Sequence, residues 1–142
     1  MAFAYKKYQE SAHDPAISLT GTLSVLFVDN TYTPINTSAN EFLSDIGASS
    51  RTSNGVVALA NATYTDGVLD ADDLVIASFP SGKDVYAIVV IYDTGVEATS
   101  RLVGFVDNFT WGVGASAPPF TPNTGGITIQ WDVSGIIKFN NI

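Results

Sequence analysis

The sequence predicts an all-β protein, a single antiparallel β-sandwich or jelly-roll-like domain with one short helix near residues 38–46. Hydrophobic residues make up 46% of the 142 residues and charged residues only 14%. The 12 glycines and 6 prolines stand among many Ser, Thr, Asn and Asp residues that separate short apolar stretches, a composition typical of strands joined by turns. This length fits one core. We expect an N-terminal arm over residues 1–16 and one β-rich domain over 17–142.

The longest apolar run, residues 85–92, is flanked by Asp84 and Asp93. It is too short for a bilayer-spanning helix, which needs about 20 apolar residues. Its valines and isoleucines and its flanking turn formers predict a strand. Because the apolar character does not alternate, we expect both faces to be covered, one by the core and the other by another sheet or a neighbouring subunit. The side chains expected to be buried are Val85, Tyr86, Ile88, Val89, Val90, Ile91 and Tyr92.

The other strands follow from β-rich apolar stretches bounded by turn residues. They are expected at 21–28, 74–79, 101–108, 127–132 and 136–139. Gly104 marks a bulge or a close backbone approach within its strand. The last two strands, joined by Val-Ser-Gly, are predicted to form a closing hairpin.

One segment has helical signals instead. Ser38 followed by Glu41 is a capping-box arrangement, apolar residues at helical spacing follow, and Gly47 suits the position after a helix end. The proline-rich stretch 112–126 is predicted to be a loop without a regular ladder, and its length suggests contact with another molecule.

Charge excludes one class of partner. The chain has 14 acidic and 6 basic residues and a net charge of −8, which would repel a phosphate backbone, so no nucleic-acid binding is expected. The start, MAFAYKKYQESAHDP, carries two lysines with no apolar core after them. Neither a signal peptide nor a membrane segment is therefore predicted.

No catalytic constellation is found in the sequence. The only histidine is His13, in the polar arm, and there is no cysteine, so a Ser-His-Asp triad would lack an anchored imidazole and a closed zinc site is close to excluded. Gly-x-Ser-x-Gly, P-loop and dinucleotide-binding motifs are absent, and no spacing picks out a carboxylate pair for a glycosidase. We expect a non-enzyme without a cofactor.

Two residue clusters leave alternatives open. Asp66 and the weak cation candidates Asp70, Asp72 and Asp73 form an acidic bend without the EF-hand spacing, which favours a turn and a solvated connection over a metal site. Trp111 and Trp131, with several tyrosines, could form a platform for carbohydrate or protein, although strand aromatics more often lie in a core or a subunit interface.

Four stretches in order also resemble a known family. They are FLSDIGASSR (42–51), TDGVLDADDLVIAS (65–78), AIVVIYDTGVEATSRLVGFVDN (87–108) and FTPNTGGITIQWDVSGIIKF (120–139). Together they resemble small virion structural proteins of tailed bacteriophages, over roughly residues 21–139. The resemblance implies a structural role and no active site.

The resemblance and the composition together lead to one expectation. The protein is expected to be a decoration or cement protein at the capsid surface of the virion. It is expected to bind the major capsid protein and to form a homo-oligomer through sheet edges, the arm (1–16) and the loop (112–126). A tail or neck component and a carbohydrate-binding module are the alternatives. The predicted partner-binding residues are Lys6, Lys7, Tyr8, Trp111, Pro118, Pro119 and Phe120.

Overall fold

The structure is a computed structural model, which describes residues 2–13, 21–37 and 39–139. In chain order the strands are β1 (Ala2–Ala4), β2 (Thr22–Val28), β3 (Arg51–Ala58), β4 (Thr63–Thr65), β5 (Val68–Asp70), β6 (Leu74–Ile76), β7 (Ala87–Asp93), β8 (Arg101–Val106), β9 (Thr110–Trp111), β10 (Ile127–Gln130) and β11 (Ile137–Lys138). An α-helix, α1 (Lys6–His13), and two 3₁₀ turns (Leu43–Asp45 and Ala48–Ser50) complete the described elements. No helix in these described ranges has the length and apolar character needed to cross a bilayer.

The strands form three antiparallel sheets. A five-stranded sheet has the order β1-β8-β7-β2-β3, and two three-stranded sheets have the orders β6-β10-β9 and β11-β5-β4. The all-β, sandwich-type fold predicted from the sequence is therefore confirmed.

The predicted central strand lies in the middle of the large sheet as β7. Val85 and the four residues from Ile88 to Ile91 are fully buried, as expected. The expectation was wrong for Tyr86, which is 37% exposed because it precedes β7 and lies at the end of the sheet. Tyr92, at the other end of the strand, is only partly buried.

Both faces of β7 are covered by this chain itself. Alternate residues of a strand point to opposite faces. Phe27 and Ile88 belong to one core cluster, together with residues of the small sheets such as Ile129. Val89 belongs to a second cluster, with Leu43 of the first 3₁₀ turn. For the second face of this strand, the sequence led us to expect either another sheet or a neighbouring subunit. The burial of β7 needs no neighbouring subunit.

The predicted helix near residues 38–46 is wrong. Residue 38 lies outside the described residues, and only Leu43–Asp45 form a 3₁₀ turn. The Asp45 carboxylate accepts the backbone N–H groups of Glu41 (2.9 Å) and Phe42 (2.8 Å), and the Leu102 N–H donates to the carbonyl of Glu41 at 3.0 Å. The backbone groups that a helix would use are thus hydrogen-bonded to Asp45 and to the start of β8. The α-helix of the described residues is α1.

The predicted closing hairpin is also wrong. β10 pairs with β6 and β9, whereas β11 pairs with β5 in the other small sheet. The Asp132 carboxylate accepts the Ser134 N–H at 2.9 Å, and Gly135 adopts a φ of 101°. This turn sends the chain to the neighbouring sheet, where the Ile136 N–H donates to the Leu69 carbonyl at 2.8 Å.

Residues 2–13, within the expected N-terminal arm, form β1 and α1. Phe3 lies opposite Phe105 in the large sheet, and Tyr5 is fully buried. The expected boundary between residues 16 and 17 lies outside the described residues and stays a prediction. Gly104, opposite Ala4, is a site of close backbone approach, as predicted: a Cβ atom there would lie 2.8 Å from the Phe3 carbonyl oxygen and would clash with the Ile137 side chain.

Candidate partner-binding surfaces

The proline-rich loop has a buried aromatic base. The rings of Trp111 and Phe120 lie 5.0 Å apart, and Phe120 makes an edge contact with Phe79 at 5.6 Å. Phe120 and Val85 exchange two backbone hydrogen bonds, of 2.8 and 3.0 Å. Phe120 is only 2% exposed, so its side chain anchors the loop and does not reach the surface.

The tip of the same loop is exposed and partly apolar. Val113 is fully exposed, Pro119 is exposed and Pro118 is partly buried. The indole N–H of Trp111 donates to the Ala117 carbonyl at 3.2 Å, which fixes the return of the chain. Residues 112–126 are all described and contain isolated bridges but no strand, as predicted. The loop thus combines a buried aromatic base with an exposed apolar tip at Val113.

The other predicted contact residues lie on α1, at the opposite edge of the large sheet from β3. Lys7 forms an ion pair with Glu10 at 2.9 Å. The ring of Tyr8 packs against the rings of Tyr92 and Phe139, with centroid distances of 5.9 and 5.5 Å, and its burial raises its pKa. Lys6 is exposed. The seven predicted contact residues therefore fall into two groups, one on α1 beside the large sheet and one around β9.

Two aspartates of the acidic bend accept hydrogen bonds from other residues of the chain. The Asp72 carboxylate accepts a hydrogen bond from the Asn61 amide at 2.6 Å, and the Asp73 carboxylate accepts the Trp131 backbone N–H at 3.1 Å. Among the residues that the structure describes, no three His, Cys, Asp or Glu groups converge as a metal site would require. This geometry favours a connecting turn over a cation site.

The two tryptophans do not form one platform. Trp131 is 9% exposed, and its indole N–H donates to the Asp72 carbonyl at 3.0 Å. It holds the acidic bend against the core and has no free ring face for a sugar. Tyr64, packed on Phe139 at 5.4 Å, is 65% exposed and is more accessible than Tyr86, which is 37% exposed.

A groove beside β1 was missed by sequence reasoning. It has a volume of about 470 Å³ and is lined by β1, Lys6, Gln9, Glu10, Asn36 and Lys138. The backbone N–H of Lys6 donates to the Asn36 side-chain oxygen at 2.6 Å. Lys138 is far from the others in sequence and arrives through β11, and no local pattern signals that placement.

Buried hydrogen bonds fix the start of α1. The hydroxyl groups of Tyr5 and Tyr32 lie 2.5 Å apart, and Tyr32 donates to the Asn40 side-chain oxygen at 2.9 Å. Burial raises the pKa of Tyr5 and raises that of Tyr32 to about 12. Both phenols are therefore neutral near pH 7.

Comparisons with known proteins give no assignment. No family model matches the chain, and neither a curated protein nor a solved structure matches it. The resemblance to phage virion proteins stays a prediction.

Proposed function

We propose that this protein is a non-enzymatic structural component of a phage virion, a decoration or cement protein on the capsid surface. Its partners would be the major capsid protein and further copies of itself.

The observation that carries the proposal is the loop tip at Val113. This valine is fully exposed on a loop whose base is held by Trp111 and Phe120. Covering one exposed valine contributes about 1.5–3 kcal/mol at most. Such a contact is weak alone, but many copies on one shell act together.

The self-contained core supports the same proposal. The central strand is covered on both faces by elements of this chain. A protein of this kind can fold before it meets a shell, as a component added to an assembled surface must. Val133, in the turn between β10 and β11, is also fully exposed and offers a second small apolar contact.

The proposal is tested with phage heads that lack this protein. Purified protein is expected to sediment with expanded heads and to raise their resistance to heat or chelation. Val113→Asp places a charge at the apolar tip and is expected to weaken binding by at least about tenfold, since it both loses apolar burial and desolvates a carboxylate.

Val96→Asp is the matched control, because Val96 is also exposed (57%) but lies in the turn between β7 and β8. It is expected to leave binding unchanged. Failure of the wild-type protein to bind heads would overturn the proposal, and binding to purified tails or necks instead would assign it to that part of the virion.

A further inference from the structure

We propose that the groove beside β1 binds an extended, acidic segment of a partner polypeptide, which adds a strand to the large sheet. The inference does not depend on the capsid proposal, because it rests on the open edge of β1, on two lysines and on one buried amide.

The open edge follows from the strand register. β1 is the last strand of the large sheet, and Ala4 lies opposite Gly104. The Tyr5 N–H donates to the Val103 carbonyl at 3.0 Å. In an antiparallel pair the backbone groups alternate in direction. Phe3 therefore points its N–H and carbonyl groups toward β8, and Ala2 and Ala4 point theirs toward the groove.

Little within the chain bonds to this edge. The Gln9 amide N–H donates to the Ala4 carbonyl at a long 3.4 Å. Within the described residues, the backbone N–H of Ala4 and both backbone groups of Ala2 have no hydrogen-bonded partner. An unpaired edge of this kind is a template for an added strand.

The charge of the groove selects the partner. Four of the six basic side chains have a carboxylate partner, in the pairs Lys7–Glu10, Arg51–Glu97, Lys83–Asp29 and Arg101–Glu41. Lys6 and Lys138 have none among the residues that the structure describes, and both line the groove. The remaining charged group there, Glu10, is neutralised by Lys7. In a chain of net charge −8, this is a local site for carboxylates.

Gln9 gives an independent sign of a missing ligand. Its side chain is 8% exposed and lines the groove, and its Oε1 atom accepts no hydrogen bond from the described part of the chain. Buried polar atoms are normally paired. A backbone N–H of an incoming segment would supply the donor once the Gln9 side chain turns this enclosed oxygen toward the groove.

Other occupants fit these groups less well. Nucleic acid is disfavoured by the overall charge. A second copy paired through β1 would bring the unpaired Lys6 side chains of two acidic chains to one junction, where like charges repel. An extended peptide matches the alternating backbone groups, the lysines and the amide oxygen together.

The test is a selection from a display library of random short peptides on the full-length protein. Sequences with Asp or Glu at alternate positions are expected to be enriched. Binding of a selected peptide should shift the backbone amide NMR signals of Ala2 and Ala4. The double variant Lys6→Gln/Lys138→Gln is expected to weaken binding about fivefold, the effect of two exposed charge pairs. Lys83→Gln, the same change at a lysine that does not line the groove, is expected to have no effect.

A second variant separates binding from folding. Gln9→Met keeps the length of the side chain and removes the unpaired oxygen, so it is expected to leave the melting temperature unchanged or raised while weakening the peptide. The proposal is overturned if acidic sequences are not enriched, if the lysine double variant binds the selected peptide as the wild type does, or if the signals that shift belong to β3. Concentration-dependent dimerisation with protection of the Ala2 and Ala4 amides would identify a second copy as the occupant and would also overturn it.

Discussion

The two faces of the large sheet are buried in different ways. One face, here the sandwich face, packs against the two small sheets, with aromatic contacts such as Phe27 to Phe79 at 5.0 Å. The other, the turn face, packs against the 3₁₀ turns and Tyr5. The backbone groups of neighbouring strands are hydrogen-bonded to one another, so the side chains on the sandwich face can all be apolar. Irregular backbone pairs fewer of its groups in this way, and side chains bond to others.

Arg51 shows how the turn face meets that need. Its guanidinium group donates to the Leu43 carbonyl at 2.9 Å and to the Ile46 carbonyl at 2.7 Å. It also forms an ion pair with Glu97 at 2.7 Å, which holds the pKa of that carboxyl below its usual value. The stability of the sandwich face is therefore expected to depend on buried apolar volume, and that of the turn face on hydrogen bonds.

The largest effect is expected on the sandwich face. Phe79→Ala removes a fully buried ring that contacts Phe27 and Phe120, and should lower the free energy of unfolding by about 3–5 kcal/mol. Urea denaturation measures it. Val113→Ala, at a fully exposed position, should change the same quantity by less than about 0.5 kcal/mol. Equal effects of the two changes would contradict the assignment of this core.

On the turn face, Arg51→Met should cost about 2–3 kcal/mol, because it leaves the partly buried Ile46 carbonyl without a donor and removes one of the two donors to the Leu43 carbonyl. The same denaturation experiment measures it. Glu97→Gln removes only the exposed partner of the ion pair and is expected to cost clearly less. If Glu97→Gln were the more harmful change, the ion pair and not the carbonyl contacts would hold the turns.

The edge of the large sheet should give an intermediate effect. In Gly104→Ala the new methyl group would lie 2.8 Å from the Phe3 carbonyl oxygen and against Ile137, a clash expected to cost about 1–3 kcal/mol. Hydrogen exchange should show faster exchange in β1. Gly47→Ala is the control, since its nearest neighbour would be 3.8 Å away, and the loss of protection in β1 should not occur there.

The smallest effect is expected at the tyrosine pair. Tyr5→Phe removes the hydroxyl group bonded to Tyr32 and should cost about 1 kcal/mol near pH 7. Burial raises the pKa of both phenols, that of Tyr32 to about 12, so the folded state favours their neutral forms. Their contribution is complete below about pH 10, the usual tyrosine pKa, and is lost as the pH rises from there toward 12.

Urea denaturation across this alkaline range tests the assignment. The wild type should lose stability there, and Tyr5→Phe should lose less of it. Tyr64→Phe, at an exposed position, should follow the wild-type curve. A Tyr5→Phe curve parallel to that of the wild type would contradict the assignment.

Much of the fold could be predicted from the sequence, because β7 and β8 carry their signals in consecutive residues. The helix predicted at 38–46 is wrong for a reason that local sequence does not carry. The Asp45 carboxylate and the start of β8 form hydrogen bonds with the backbone groups that a helix would use. Among the candidate contact residues, the loop over 112–126 was predicted but the buried position of Phe120 was not. The groove combines α1 with β11, and the meeting of Lys6 and Lys138 depends on tertiary pairing alone.

The pairing of β1 with β8 has a kinetic consequence. Ala2 lies opposite Val106, so β1 pairs with a strand that is far from it in the sequence. Contacts so far apart in sequence are slow to close, because the intervening chain loses entropy first. We expect β2, β7 and β3 to assemble early and β1 to join last, which makes the groove one of the final parts of the molecule to form during folding.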